Sequence, residues 1–256
     1  MKTIFITGAA HGIGLATAKY FASLGYFVGL YDINEQGLAQ AMASGDFPQA
    51  CSGVCDVTSR QAIDAALEDF ASHTGGQLHI LVNNAGVLSA GPFADIAPAA
   101  QDLMIDINVK GLTHVAQAGF PYLQKTAGAC LVNLCSVSSI HGIPSLAVYS
   151  ASKFYVNGLT QALHLEWAQH DIRVTCVKPD LVDTPMAHAV QAGAESKREI
   201  GLQPEDIAVA IDKAVHGKRI SYVVGGAARI WGLIDRLLPE SLRARLTARM
   251  LNKQEK

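Results

Sequence analysis

Short runs rich in Val, Ile and Leu recur along the chain at residues 2–7, 27–31, 50–55, 79–83, 129–135, 172–177 and 219–224, separated by longer amphipathic stretches. The runs have strand length, and their near-continuous apolar character fits strands covered on both faces. The alternation predicts right-handed βαβ units building a doubly wound parallel sheet of about seven strands, with helices on both sides. No Pro-, Ser- or charge-rich linker interrupts the pattern and no internal repeat is visible, so residues 1–256 are expected to form a single α/β domain.

The last segment changes rhythm. Ile230, Leu233, Ile234 and Leu237 fall at helical spacing; after Pro239 a second set follows at Leu242, Leu246 and Met250, accompanied by Arg229, Arg236, Arg243, Arg245 and Arg249. This predicts an amphipathic helical extension over residues 226–256, packed on the domain or on a partner subunit. Contact with a membrane surface is the alternative for a basic amphipathic helix.

Composition narrows the options. Half of the 256 residues are apolar, enough for a large buried core. The balance of 20 basic and 22 acidic residues leaves no electrostatic footprint for nucleic acid, which makes a small molecule the default partner. Lys2 to Thr7 is too short for the core of a secretory signal and lacks a cleavage region. Cys51, Cys55, Cys130, Cys135 and Cys176 are odd in number and lie mostly in strand-like runs, so they are expected to be buried, reduced thiols of a cytoplasmic protein. The nine histidines form neither a His-x-x-x-His pair nor a Cys/His cluster, and no metal site is expected. Gly-x-Ser-x-Gly is absent, which argues against a nucleophile-elbow hydrolase.

Chemistry concentrates at the ends of the predicted strands. Thr7-Gly8-Ala9-Ala10-His11-Gly12-Ile13-Gly14 follows the first strand and opens a helix-like run. Glycines there permit a tight turn, close approach of the backbone to a pyrophosphate, and a helix N-terminus facing negative charge. The spacing is Gly-x-x-x-Gly-x-Gly, unlike the common dinucleotide fingerprint. Asp32 ends the second strand about twenty residues further on, where a carboxylate can accept hydrogen bonds from an adenosine ribose. A 2′-phosphate there would meet a like charge, and neither Tyr31 nor Ile33 supplies a cation, so NAD is expected over NADP. Tyr149 and Lys153 lie one helical turn apart. An ammonium about 4 Å from a phenolate at an effective dielectric of about 20 stabilises it by roughly 4 kcal/mol, so the lysine is expected to lower the tyrosine pKa.

With Asn83-Asn84-Ala85-Gly86, Asn108, Ser136 and Tyr149/Lys153 following the glycine motif in order, the chain resembles the short-chain dehydrogenase/reductase family, in its compact single-domain branch, from Lys2 to about Val224. The resemblance implies a Rossmann fold and a homodimer or homotetramer paired through the long helices that include Asn108 and Tyr149. It implies that Asn108, Ser136, Tyr149 and Lys153 are catalytic. Ser136, thirteen residues before Tyr149, would hold the substrate oxygen; Tyr149 would act as acid and base, and Lys153 would also bind the nicotinamide ribose. Asn108 would distort its helix so that its backbone carbonyl holds a water linking Lys153 to solvent.

Gly8, His11, Gly12, Ile13, Gly14, Asp32, Asp56, Val57, Asn84, Ala85, Gly86, Tyr149, Lys153, Pro179, Val182 and Thr184 would line the dinucleotide. Substrate would meet Ser136, Tyr149, Leu88, His141 and Met186. Asp180 stands where the family usually has glycine after Pro179, and either points outward or shapes substrate choice. The implied activity is NAD-dependent interconversion of a secondary alcohol and a ketone. An NADPH-type β-ketoacyl thioester reductase is the alternative enzyme, and a dinucleotide-sensing regulatory protein the alternative of another class.

Overall fold

In a computed structural model that describes residues 1–192, 200–226 and Leu242, the chain folds around a seven-stranded parallel sheet. The strands are β1 (Thr3–Thr7), β2 (Phe27–Asp32), β3 (Ala50–Val54), β4 (Ile80–Asn83), β5 (Cys130–Leu134), β6 (Arg173–Pro179) and β7 (Ser221–Val224). All seven apolar runs of the sequence became strands, with ends displaced by at most two residues. The helices are α1 (Gly12–Ser23), α2 (Glu35–Ala43), α3 (Arg60–Thr74), α4 (Pro98–Ile105), α5 (Leu112–Gln124), α6 (Ala147–Glu166), α7 (Pro185–Ala192) and α8 (Pro204–His216).

Strand order β3-β2-β1-β4-β5-β6-β7 identifies a doubly wound, Rossmann-like fold. The chain winds outward from β1 to β3, then returns to the centre at β4 and winds the other way. That reversal opens a crevice beyond the carboxyl ends of β1 and β4, where such sheets bind ligands.

Both faces are covered, which is why the strands read as continuous apolar runs. Ile4, Ile6, Val28, Leu30, Val82 and Val132 pack towards α1, α2 and α8 on one face. Phe5, Tyr31, Leu81, Leu131 and Val174 pack towards α3, α5 and the end of α6 on the other. β3 departs from the expectation of two-sided cover: it lies at an edge of the sheet, and Ser52 and Val54 are exposed. All five cysteines are buried and unpaired.

Local signals explain where the helices begin and end. Asn34 and Ser59 cap α2 and α3 by accepting from the backbone N–H groups of Gly37 and Ala62. Gly75 closes α3 in the left-handed conformation, φ 63°. Between α4 and α5 the residues Asp106–Gly111 form a π-helical turn, a widened insertion often found at functional sites. The 226–256 extension lies outside the described residues except for Gly226 and Leu242. Among the described residues no helix is long and apolar enough to cross a membrane.

Candidate active site

The glycine loop joins β1 to α1, and its shape is imposed by neighbours. Gly8 and Gly12 sit at φ 67° and 56°, where side chains are strained. A Cβ at Gly14 would drive into the Gly8 carbonyl oxygen, and one at Gly8 would stand 2.9 Å from Ala85 Cα. α1 therefore starts tightly against the end of β4. Its exposed N-cap, His11, makes no side-chain capping bond, and no acidic residue lies in the first turn. The amides of Gly12, Ile13 and Gly14 thus begin a twelve-residue helix whose dipole favours an anion. These features fit a pyrophosphate.

Side chains around this loop brace the backbone. Asp32, 6% exposed at the end of β2, accepts from Ala10 N at 2.9 Å through one carboxylate oxygen and from Asn34 N at 2.9 Å through the other. Asn84 donates its amide to the Thr7 and Gly8 carbonyls, both at 2.9 Å. Thr7 Oγ accepts from the amides of Asn84 and Ala85 at 3.1 Å. Thr7 received no separate role in the sequence reading, although its place at the strand end, before Gly8, was the available signal. Asp56 accepts from Thr58 N and Oγ1 at the foot of α3, and Val57 is buried against Gly111. Thr184 packs on Gly12, whose Cβ would lie 3.3 Å from its methyl group. Val182 is buried and bridged to Leu202, and Pro179 ends β6.

Ser136, Tyr149, Lys153 and Asn108 converge beyond β4 and β5. Ser136 leaves β5 in an extended conformation and caps a short 3-10 turn, Val137–Ser139, by accepting from Ser138 N. Its hydroxyl neighbours the Tyr149 phenol closely enough to favour the phenolate. Lys153 Nζ lies 5.5 Å from the Tyr149 ring centroid and donates to the Leu134 carbonyl at 3.0 Å. Asn108, wholly buried in the π turn, accepts from Val87 N at 2.9 Å and donates to Val87 O at 2.8 Å and to Ser152 Oγ at 3.3 Å. Gly86 runs between these groups: its Cβ would lie 3.2 Å from Asn108 Oδ1 and 3.8 Å from Lys153 Nζ. Ser152, which links the two helices, was missed because serine between Tyr149 and Lys153 carries no periodic signal.

Electrostatics differ from the expectation that the lysine lowers the phenol. Burial pushes Tyr149 up to about 12; the Ser136 hydroxyl pulls it back, and the charge of a Cys135 thiolate pushes the same way as burial. Burial also lowers Lys153, with Cys135 opposing the shift. Desolvation is the largest influence on both groups in the free protein.

Leu88, His141 and Met186 occupy the loops or helix start after β4, β5 and β6; Leu88 and His141 are half-buried and Met186 is 38% exposed. The first two loops are tied together, with Gly91 N donating to the Ser145 carbonyl at 2.9 Å. Asp180 is half-buried, its carboxylate accepting from Leu181 N. Of the expected substrate segment 184–203, residues 193–199 lie outside the described ones.

A half-buried tyrosine and serine and a buried lysine beside a phosphate-fitting loop, at the switch point of a Rossmann-like sheet, define an oxidoreductase site. Residues 2–195 match the family model of the short chain dehydrogenases, and the chain belongs to that family. It is 35% identical over 222 residues to the oxidoreductase UcpA of Salmonella typhimurium, an alignment covering 86% of this chain and 82% of that one. Among solved structures, 3-ketoacyl-(acyl-carrier-protein) reductase from Brucella melitensis, complexed with NADH, superimposes with TM-score 0.78 at 28% identity, covering 87% of this chain and 96% of that one. A point variant of actinorhodin polyketide ketoreductase with NADPH does so with TM-score 0.81 at 28% identity, covering 89% and 97%.

Proposed function

We propose that the protein is an NAD-dependent oxidoreductase that interconverts a secondary alcohol and a ketone in the cytoplasm. The observation that carries this reading is the Tyr149 phenol set beside the Ser136 hydroxyl and the Lys153 ammonium, whose Nζ lies 5.5 Å from its ring centroid. Residues 1–256 are read as one dinucleotide-binding and catalytic domain, with 226–256 as its C-terminal extension. The glycine loop and the amides at the start of α1 would hold the pyrophosphate, while Asp32 would face the adenosine ribose. When bound, the dinucleotide supplies the ring that accepts or returns a hydride.

The chain's own groups handle the proton. Ser136 Oγ fixes the substrate oxygen next to the Tyr149 hydroxyl, which takes the alcohol proton in oxidation and returns it in reduction. Lys153 adds a positive field beneath the phenol, and Asn108 holds the loop at Val87 against α6 through Ser152. Leu88, His141 and Met186 would border the substrate. The exposed Phe154 and Tyr155 on α6, with Leu103 on α4, support pairing of subunits through these helices.

Asp32 supports NAD over NADP, since its buried carboxylate would repel a 2′-phosphate. Reduction of a β-ketoacyl thioester is the second reading, favoured by the likeness to the Brucella reductase and the polyketide ketoreductase. A panel of secondary alcohols, sterols and sugar alcohols with NAD, run beside β-ketoacyl thioesters with NADPH and followed by nicotinamide absorbance, separates the two. Turnover confined to the thioesters overturns the first reading. Dinucleotide binding without turnover on either panel leaves a sensor.

A further inference from the structure

Away from the crevice, where β3 begins at the edge of the sheet, Cys51, Asp69 and His73 bring one ligand atom each within 4.8 Å of one another. Cys51 is 8% exposed on β3, while the Asp69 and His73 side chains are about half exposed on α3, so the group is open to solvent on one side only. The helix period puts Asp69 and His73 on one face, His73 Nε2 lying 3.7 Å from Asp69 Oδ1. Zinc bond lengths of about 2.0–2.3 Å at tetrahedral angles require N···O separations of about 3.3 Å and S···N separations of about 3.6 Å. Rotamer adjustments of these two half-exposed side chains would close the remaining gap.

The surroundings orient the donors. Asp69 turns its other oxygen, Oδ2, to the Tyr31 hydroxyl at 2.6 Å, and the same hydroxyl lies 3.4 Å from Cys51 Sγ. Tyr31 is held stacked on Phe5, ring centroids 4.4 Å apart, and Gly53 makes room for it: a Cβ there would stand 3.0 Å from the ring. His73 is stacked on Phe27. The carboxylate and imidazole thus have fixed neighbours of the kind that orient metal ligands from outside the coordination sphere.

We propose that Cys51, Asp69 and His73 form a binding site for a zinc-class divalent cation, with water completing the tetrahedron. A thiolate, an imidazole and a carboxylate select zinc and its borderline-soft relatives over magnesium and calcium, which take oxygen ligands. On binding, the Cys51 thiol gives its proton to buffer as the sulfur–metal bond forms, and no electron is transferred. The cation joins β3 to α3, and so braces an edge strand that, among the described residues, pairs with β2 alone. This site departs from the expectation of no metal, because Cys51 and the Asp69/His73 pair meet only once β3 and α3 are packed together. It is independent of the oxidoreductase chemistry.

The test uses the full chain, freed of any affinity tag and treated with chelator, titrated with cobalt(II) and with zinc. One cobalt per chain should bind with a thiolate-to-metal charge-transfer band and tetrahedral visible bands. The charge-transfer band should vanish in Cys51→Ser and persist in Cys55→Ser. Asp69→Asn and His73→Ala, both at half-exposed positions, should weaken zinc binding by more than about a hundredfold while the apoprotein stays folded. Tyr31→Phe should weaken it by about tenfold. Zinc should raise Tm in the unaltered protein and leave it unmoved in His73→Ala. Absence of a charge-transfer band, its survival in Cys51→Ser, or zinc-induced Tm shifts that His73→Ala retains would overturn the proposal.

Discussion

The two halves of the crevice use polar side chains in opposite ways. On the glycine-loop side, Thr7, Asp32 and Asn84 direct their hydrogen bonds to backbone N–H and C=O groups, so the surface left for a ligand is largely main chain and helix dipole. On the other side Ser136 and Lys153 each keep one bond to backbone, at Ser138 N and Leu134 O, but they also bring a hydroxyl and an ammonium beside the Tyr149 phenol, while Asn108 and Ser152 only brace. The first half is a shaped mould, and damage to it should act through geometry. The second is a set of reactive groups whose removal should act on chemistry.

Tyr149→Phe breaks the comparison hardest. It should cut turnover by about 10²–10⁴-fold while dinucleotide affinity measured by fluorescence titration stays within a few-fold. In the unaltered protein kcat/KM for alcohol oxidation should climb with pH across the alkaline range, because the phenol is raised to about 12 and its ionised form is the base. Carbonyl reduction should show the reverse slope, and a bound cationic nicotinamide should move both profiles down in pH. Loss of dinucleotide binding in this variant would erase the distinction between the halves.

Gly14→Ala should show the complementary pattern. Its methyl group would collide with the Gly8 carbonyl, and overpacking of that kind costs about 1–3 kcal/mol. Dinucleotide affinity should collapse, with Tm lowered, although no reactive group has been touched. Unchanged affinity would mean that the loop is not the mould described.

Particular residues show what could be foreseen. The sheet was legible because strands buried on both faces must be apolar throughout, and Ile4, Leu81 and Val132 carry that requirement plainly. β3 escaped it, since an edge strand can keep Ser52 in water. Tyr149, Ser136 and Asn108 were legible as a spaced set. Their electrostatic balance was not, because spacing reports proximity of charge but carries nothing of desolvation, which prevails at Tyr149. The bracing roles of Asp32 and Asn84 were hidden for a related reason: each bonds to backbone far away in sequence, across contacts that the fold alone creates.

Asp32→Asn sharpens the first half. The amide oxygen can still accept from one of Ala10 N and Asn34 N, its NH2 leaves the other without an acceptor, and the charge that would repel a 2′-phosphate is gone. The ratio of NADP to NAD affinity should rise by at least about tenfold, or about 1.4 kcal/mol, with a smaller loss of Tm than in Asp32→Ala because one acceptor is kept. Asp32→Ala should lower Tm as well, because Ala10 N and Asn34 N both lose an acceptor. An unchanged NADP/NAD ratio in Asp32→Asn would show that the carboxylate acts only as a brace.

The smallest expected effect falls on stability, and it distinguishes a group kept for chemistry from one kept for structure. Burial lowers the Lys153 pKa, so below that depressed value the folded protein bears the full cost of a desolvated ammonium. The unfolded chain, titrating at about 10.4, binds more protons in the interval between the two values, and stability contributed by this group therefore rises with pH through that interval. Lys153→Met removes the cost along with the bond to Leu134 O, leaving an apolar side chain of similar length. The variant should lose turnover as thoroughly as Tyr149→Phe yet match or exceed the unaltered protein in Tm at neutral pH. Its advantage should shrink as pH rises towards that of free lysine. A Tm well below that of the unaltered protein at neutral pH would make Lys153 a structural anchor, and the division between mould and reactive groups would have to be redrawn with the lysine on the other side.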